Sequence, residues 1–119
     1  MAFEPDPFNA WLLDCNLTEN GIGNAIVSNA AVGAQSGNIR LNRYKSSNCG
    51  RHSLLTDHGY GSRMVPIAAL DNALNQLGLA ERAVTVLKVD VEGYEPAVIA
   101  GASKTLERTA AVIMDIRRI

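Results

Sequence analysis

The stretch that most constrains the fold is residues 87–95, LKVDVEGYE, where an apolar segment runs into three carboxylates and a glycine. Residues 84–91 are apolar almost throughout, as in a strand that is covered on both faces of a sheet. Asp90, Glu92 and Glu95 follow, and Pro96 suits the first turn of a helix. Open α/β sheets hold their ligands where a buried strand ends and passes into a helix, so a site is expected here.

Length and composition favour one packed domain over residues 1–119, with 47% hydrophobic and 19% charged residues. A net charge of -1 provides no basic surface for nucleic acid. No apolar run reaches the roughly 18 residues that span a bilayer, and no signal-peptide pattern opens the chain, so a cytoplasmic location is expected. Cys15 and Cys49 form no CxxC pair, which predicts two reduced thiols and no zinc site, with Cys15 in the core.

The first quarter of the chain predicts a strand that passes into a helix. Residues 1–4 form a short apolar run, Asp6 suits the N-cap, Pro7 suits the first helical position, and the Asn-Gly pair at 20–21 ends the helix. Apolar residues recur at i, i+3, i+4 and i+7. They predict one buried face, formed by Phe8, Trp11, Leu12 and Cys15.

The middle of the chain predicts a buried strand at 25–32, a turn at 33–37 and a more exposed strand at 39–43. Residues 45–61 are polar and lack periodicity, which is typical of a functional or mobile loop. A brief edge strand is expected at 64–67 because it contains a proline. A helix follows, closed by Gly78, with its apolar positions at Leu70, Ala73, Leu74 and Leu77.

The last third predicts one helix from Glu95 and Pro96, with Val98, Ala102 and Leu106 on its buried face, and a strand at 111–116. The whole order is strand, helix, strand, hairpin, helix, strand, helix, strand. It predicts an α/β fold with a mainly parallel sheet.

Carboxylates are the main candidates for chemistry. Glu4 follows the first strand, where a nucleotide-binding α/β fold places an acid on the ribose hydroxyls. Asp90 and Glu92 are expected to share a strand face because side chains alternate along a strand. With Glu95 they could orient a substrate, act as a base or bind Mg²⁺ or Ca²⁺; equally, Glu92 and Glu95 could cap the next helix, with Asp90 forming a turn.

Other catalytic patterns are weak. His52 and His58 lie in the polar loop without metal-ligand spacing and are expected to be solvated. The chain has no P-loop and no GxSxG, and Cys49 has no nucleophile signature.

Several segments, in order, resemble the FkbM-type methyltransferases, which use S-adenosylmethionine and have a Rossmann-like sheet. Residues 87–95 resemble the LKxDxEGxE segment of that family, and residues 3–5 its FEP segment. Further similarities are to its NAAVG, NxGxxSL and TLD segments, at residues 29–33, 48–54 and 69–71. The resemblance covers nearly the whole chain.

The resemblance implies an α/β fold with a partial Rossmann-like methyltransferase sheet, mainly parallel, with an inserted hairpin. It implies S-adenosylmethionine as cofactor and methyl transfer to an acceptor oxygen. Glu4 would bind the cofactor ribose, Asn29 and Ala30 would lie near the adenine, and Asp90 with Glu92 would face the methyl donor and acceptor.

One departure from the family pattern affects these expectations. The family has a strand and a glycine-rich loop before its FEP segment, and here Met1 comes just before Phe3. The single domain is therefore expected to be truncated, to bind cofactor weakly by itself, and to form a homodimer that covers the missing central strand. The alternative is a non-catalytic dimerising or partner-binding domain.

Overall fold

A computed structural model describes residues 1–45, 47 and 49–115. Asn48 and Ile116, which belong to the predicted polar loop and the predicted last strand, lie outside the described residues. Within the described part, the chain forms seven strands and four α-helices. No helix in that part combines the length and apolarity needed to cross a lipid bilayer.

The chain begins with a strand, a helix and a second strand, as expected. Strand β1 is Ala2–Phe3, helix α1 is Pro7–Glu19 and strand β2 is Val27–Ser28, which pairs in parallel with β1. The Asp6 carboxylate accepts hydrogen bonds from the backbone N–H groups of Phe8 and Asn9, which confirms the predicted N-cap. Gly21 adopts a left-handed conformation just after the helix, with φ of 67°.

The predicted buried face of α1 is wrong. Phe8 is 58% exposed, Trp11 is 59% exposed and Leu12 is also exposed, while Cys15 is only half-buried. The helix buries Ala10 instead and packs against β2. Periodicity identifies an apolar stripe but not its partner, and here no described element covers the stripe.

The predicted strand at 25–32 is interrupted, because β2 is followed by a separate strand, β3, at Ala31–Gly33. Strand β4 is Gly37–Asn42 and β5 is Ser62–Ala69, and the three strands form one sheet in the order β3-β5-β4. The predicted edge strand at 64–67 is thus longer and lies in the middle of this order. Pro66 is tolerated because β3 pairs with β5 only from Ile67 onward.

The helix predicted to start at Leu70 agrees with the structure, which has a helix at 70–76. The last predicted helix is divided in two. Helix α2 is Leu70–Gln76, whereas the single helix expected from Glu95 is two short helices, α3 at Glu95–Ala100 and α4 at Ser103–Glu107. The Asp71 carboxylate caps α4 from outside by accepting bonds from the N–H groups of Lys104 and Thr105 and from the Thr105 hydroxyl. Burial alone would raise the pKa of Asp71, but the hydrogen bonds from Thr105, Lys104 and Ser103 lower it below its ordinary value.

Strand β6 is Val84–Val89 and pairs in parallel with β7, Thr109–Met114. The inner face of this pair carries Leu87 and Val89, but Val86 and Ile113 on the other face are 51% and 54% exposed. The prediction that the strand at 84–91 is covered on both faces is therefore wrong. Apolar residues on successive positions show that a strand can be buried, and no described element packs on the outer face.

The fold is α/β, and three of the four strand pairs in the described part of the chain are parallel. The antiparallel β4–β5 pair corresponds to the predicted hairpin. Among the residues that the structure describes, the strands form three small sheets without hydrogen bonds between them, so one Rossmann-like sheet stays a prediction. Two apolar clusters hold the elements together, one centred on Leu41, Val65 and Ile67, the other on Leu70, Leu74 and Ala102.

The junction between α3 and α4 is held by a contact between two glycines. A Cβ atom added to Gly101 would overlap the carbonyl oxygen of Gly33, and its next nearest contact outside Gly33 is the Cα of Ala69. All of these are backbone atoms, which cannot rotate away. Only glycine at position 101 lets α3 approach β3 so closely.

We expect Gly101→Ala to lower the free energy of unfolding by about 2 kcal/mol or more, since overpacking against backbone forces the elements apart. Gly23→Ala is the matched control, because a Cβ at Gly23 meets nothing within 4 Å. Urea unfolding followed by circular dichroism measures both. Equal effects of the two substitutions would contradict the packing role of Gly101.

Candidate active site

A cavity of about 140 Å³ lies where the ends of β1 and β6 approach the start of β3. Four of the five predicted site residues line it: Glu4, Ala30, Asp90 and Glu92. The fifth, Asn29, is not among the lining residues. Segments far apart in the chain are thus brought to one place, with His52 and Leu54 of the polar loop also in the wall.

Glu4 is the first residue after β1, and its side chain is half-buried. Its Oε1 atom accepts a hydrogen bond of 2.8 Å from the backbone N–H of Asp6. Burial raises the pKa of Glu4 above its ordinary value, and the nearby charge of Asp6 adds to that effect, whereas bonds from the Asp6 N–H and Asn9 oppose it. The charged form of the Glu4 carboxylate is therefore disfavoured by its position beside the cavity.

Asn29 supports the backbone beside Glu4. Its Nδ2 atom donates to the carbonyl oxygens of Glu4 and Pro5, at 2.8 and 3.1 Å. These bonds tie the segment between β2 and β3 to the exit of β1, and they place Ala30 in the cavity wall. Asn29 thus shapes the site from outside it.

Asp90 and Glu92 line the cavity without sharing a strand face. Strand β6 ends at Val89, and Glu92 has φ of 53°, so the expected strand alternation stops before these residues. Asp90 is exposed and forms an ion pair of 3.1 Å with Lys88 Nζ. The left-handed conformation of Glu92, rare for a residue other than glycine, marks a constrained turn at the site.

Glu95 belongs to that turn and not to the cavity. Its buried carboxylate accepts hydrogen bonds from the N–H groups of Val91 at 3.1 Å and Gly93 at 3.3 Å. Of the roles left open by the sequence, Glu95 therefore closes the turn before α3. Among the described residues, no group of three His, Cys, Asp or Glu side chains is placed to hold a metal ion.

His52 is not solvated, contrary to the prediction. Its side chain is 9% exposed, lines the cavity and accepts a hydrogen bond at Nδ1 from the Tyr44 N–H, at 2.9 Å. The loop returns to the site because Ser53 pairs with Asn42 through two backbone hydrogen bonds. His58 instead packs its ring edge-on against Tyr44, with ring centroids 4.9 Å apart.

An open groove of about 660 Å³ adjoins the cavity, and Phe3, Val32, Asp90 and Val91 line both. The consecutive residues Met1, Ala2 and Phe3 form one side, and nearly every residue of β6 forms the other. Because alternate residues of a strand point to opposite faces, consecutive lining residues indicate that strand edges face the groove. Both strands run from the groove toward the cavity, so they point the same way.

The residues present fit part of S-adenosylmethionine. The Glu4 carboxylate suits a pair of ribose hydroxyls, and the apolar side chains of Ala30, Leu41 and Leu54 suit a flat nucleobase. A cavity of about 140 Å³ is smaller than the roughly 300–1,000 Å³ of typical ligand sites. The cavity is therefore too small for the whole of S-adenosylmethionine, and it continues past Asp90 toward the larger groove.

Comparison with known families gave one finding. A family model described as "Methyltransferase FkbM domain" matches residues 1–118. Comparisons with curated proteins and with solved structures found no match.

We expect Glu4→Gln to unfold with a free energy equal to or above that of the wild-type protein at pH 7. The raised pKa means that the folded protein loses stability as pH rises from about 4.3, the value in an unfolded chain, through the folded pKa. Glutamine keeps the acceptor for the Asp6 N–H and has no charge to desolvate.

Urea unfolding at several pH values between 4 and 7 measures this difference, which should grow in favour of the variant as pH rises. Glu107→Gln, on the exposed surface of α4, controls for the loss of one negative charge. A difference that grows in favour of the wild-type protein would contradict the assignment.

Proposed function

Because the chain belongs to the family of FkbM methyltransferase domains, we propose that it binds S-adenosylmethionine and takes part in methyl transfer to an acceptor oxygen. The observation that carries this proposal is the meeting of Glu4, Asp90 and Glu92 at one cavity. Two of these residues follow the ends of strands at opposite sides of a groove. A cytoplasmic location belongs to the same proposal.

Glu4 is proposed to bind the ribose. The Asp6 N–H donates to one carboxylate oxygen, and the Asn9 side chain also hydrogen-bonds to this carboxylate, which fixes the side chain at the cavity wall. A carboxylate has several acceptor positions, so it can still accept bonds from two ribose hydroxyls. Removal of water by the bound nucleoside would strengthen these bonds, because charged hydrogen bonds are worth more in a less polar environment.

Asp90 and Glu92 are proposed to act on the acceptor. When bound, the cofactor supplies an activated methyl group on a positively charged sulfur. A carboxylate beside the cavity can accept the proton of an acceptor hydroxyl as the oxygen becomes a nucleophile. Asp90 is held by Lys88 and lies between groove and cavity, which suits it to orienting the donor, and the constrained turn at Glu92 suits that residue to the acceptor side.

Isothermal titration calorimetry with S-adenosylhomocysteine is the test of cofactor binding. We expect measurable binding to the wild-type chain, and a Kd about 10- to 100-fold higher in Glu4→Ala, since a hydrogen bond to a charged group is worth about 1.5–3 kcal/mol. Glu107→Ala should bind as the wild-type protein does. No heat of binding at millimolar ligand would end the proposal for this chain.

We further propose that two copies associate across the groove. Two facing strand edges without a ladder partner among the described residues invite pairing with another strand. The groove is lined mainly by apolar side chains, and Val86 adds an exposed apolar residue at its edge. A dimer would cover surface that single-chain proteins rarely leave exposed.

Light scattering after size exclusion is expected to give twice the 12.7 kDa mass of one chain. Val86→Asp places a charge at the groove edge and should shift the protein to monomer, raising the dimer Kd by tenfold or more. Met64→Asp is the matched control, since Met64 is also an exposed apolar residue but lies on β5 outside the groove. A monomeric wild-type protein at 100 μM would contradict dimerisation.

A further inference from the structure

His52 belongs to the polar loop and lines the cavity. Its Nδ1 atom accepts the Tyr44 N–H, so this nitrogen carries a lone pair and the N–H group of the ring lies at Nε2. The Nε2 atom lies 3.7 Å from Asp6 Oδ2, and the two side chains are 9% and 6% exposed. The imidazole thus turns an N–H group toward a buried carboxylate.

Asp6 connects that imidazole to Glu4. Its Oδ1 atom accepts the first N–H groups of α1, from Phe8 and Asn9, which leaves Oδ2 as the oxygen that faces His52. The backbone N–H of the same residue donates to Glu4 Oε1. A shift of Asp6 would therefore move the donor that holds Glu4 at the cavity.

The contact between His52 and Asp6 is longer than a hydrogen bond but electrostatically favourable. An N–H dipole directed at a carboxylate is stabilising, and more so where both groups are largely removed from water. Asp6 also has Glu4 as a neighbouring acid, so a donor directed at Oδ2 offsets part of their repulsion. His52 is the group placed to provide that donor.

We propose that His52 is a positioning residue: its Nε2–H holds Asp6 in place, and Asp6 in turn directs the Glu4 carboxylate toward the hydroxyl groups of a bound nucleoside. The ligand part of this inference rests on the proposed function. The positioning part concerns the protein without ligand, so it can be tested separately.

The two nitrogens of His52 have separate tasks, and two substitutions separate them. Asparagine places its oxygen near the position of Nδ1 and can still accept the Tyr44 N–H, but it offers nothing to Asp6. Glutamine places its amide N–H₂ near the position of Nε2 and can still donate to Asp6, but it loses the bond to Tyr44. A residue that only anchors the loop would make glutamine the worse replacement.

The first measurement needs no ligand. Hydrogen exchange of the Asp6 amide, followed by NMR, reports the bond to Glu4. We expect exchange at least fivefold faster in His52→Asn than in the wild-type protein, and within twofold of it in His52→Gln. Unchanged exchange in His52→Asn would overturn the inference, whether or not the protein binds a nucleoside.

The second measurement is titration with S-adenosylhomocysteine. His52→Asn should raise Kd about tenfold, whereas His52→Gln should stay within threefold of the wild-type value even if its melting temperature is lower. Losses of affinity that follow melting temperature in both variants would show a purely structural role and overturn the inference. Absence of binding to the wild-type chain, with the expected exchange pattern, would reject the proposed function and leave the positioning of Glu4 by His52 supported.

Discussion

The close approach of Gly101 to Gly33 is the constraint on which the rest of the structure depends. It brings the α3–α4 junction against the end of β3, and the Gly101 carbonyl then accepts the N–H of Asp71 at 3.0 Å. Asp71 in turn caps α4 with its side chain. This backbone contact thus fixes α3, the helix that follows β6, relative to the sheet formed by β3, β5 and β4. Asp90 and Glu92 lie in the connection between β6 and α3, so their position also depends on this contact.

The parts of the fold that were predictable from sequence are those decided by neighbours in the chain. The N-cap at Asp6, the position of Glu4 after β1 and the extent of α2 all follow from local hydrogen bonding and steric preference. Which face of a helix or strand is buried was predicted poorly. The stripe containing Trp11 and the outer face containing Val86 are as apolar as buried faces, but burial depends on a partner that periodicity does not specify.

The residues of the candidate site were likewise predictable only in part. Glu4 and Asp90 could be found because carboxylates at strand ends have a recognised use in α/β folds. His52 could not be found in this way, since its burial depends on the backbone pairing of Asn42 with Ser53. No local sequence pattern predicts that pairing. Asp90 and Glu92 were assigned to one strand face by alternation, and the left-handed turn at Glu92 removes that basis. The glycine that follows it was the available sign that a turn begins there.

The electrostatics of the site bear on what it could bind. Glu4, Asp90 and Glu92 line one small cavity, and buried Asp6 lies directly behind Glu4. Carboxylates gathered in this way repel one another, and the pKa of Glu4 is raised mainly by burial, with the charge of Asp6 adding to it. Retaining an ionisable group at such a position is typical of sites where local stability is given up for function. A ligand that carries hydroxyl donors and a positive charge would relieve the repulsion, and a nucleoside joined to a sulfonium has both.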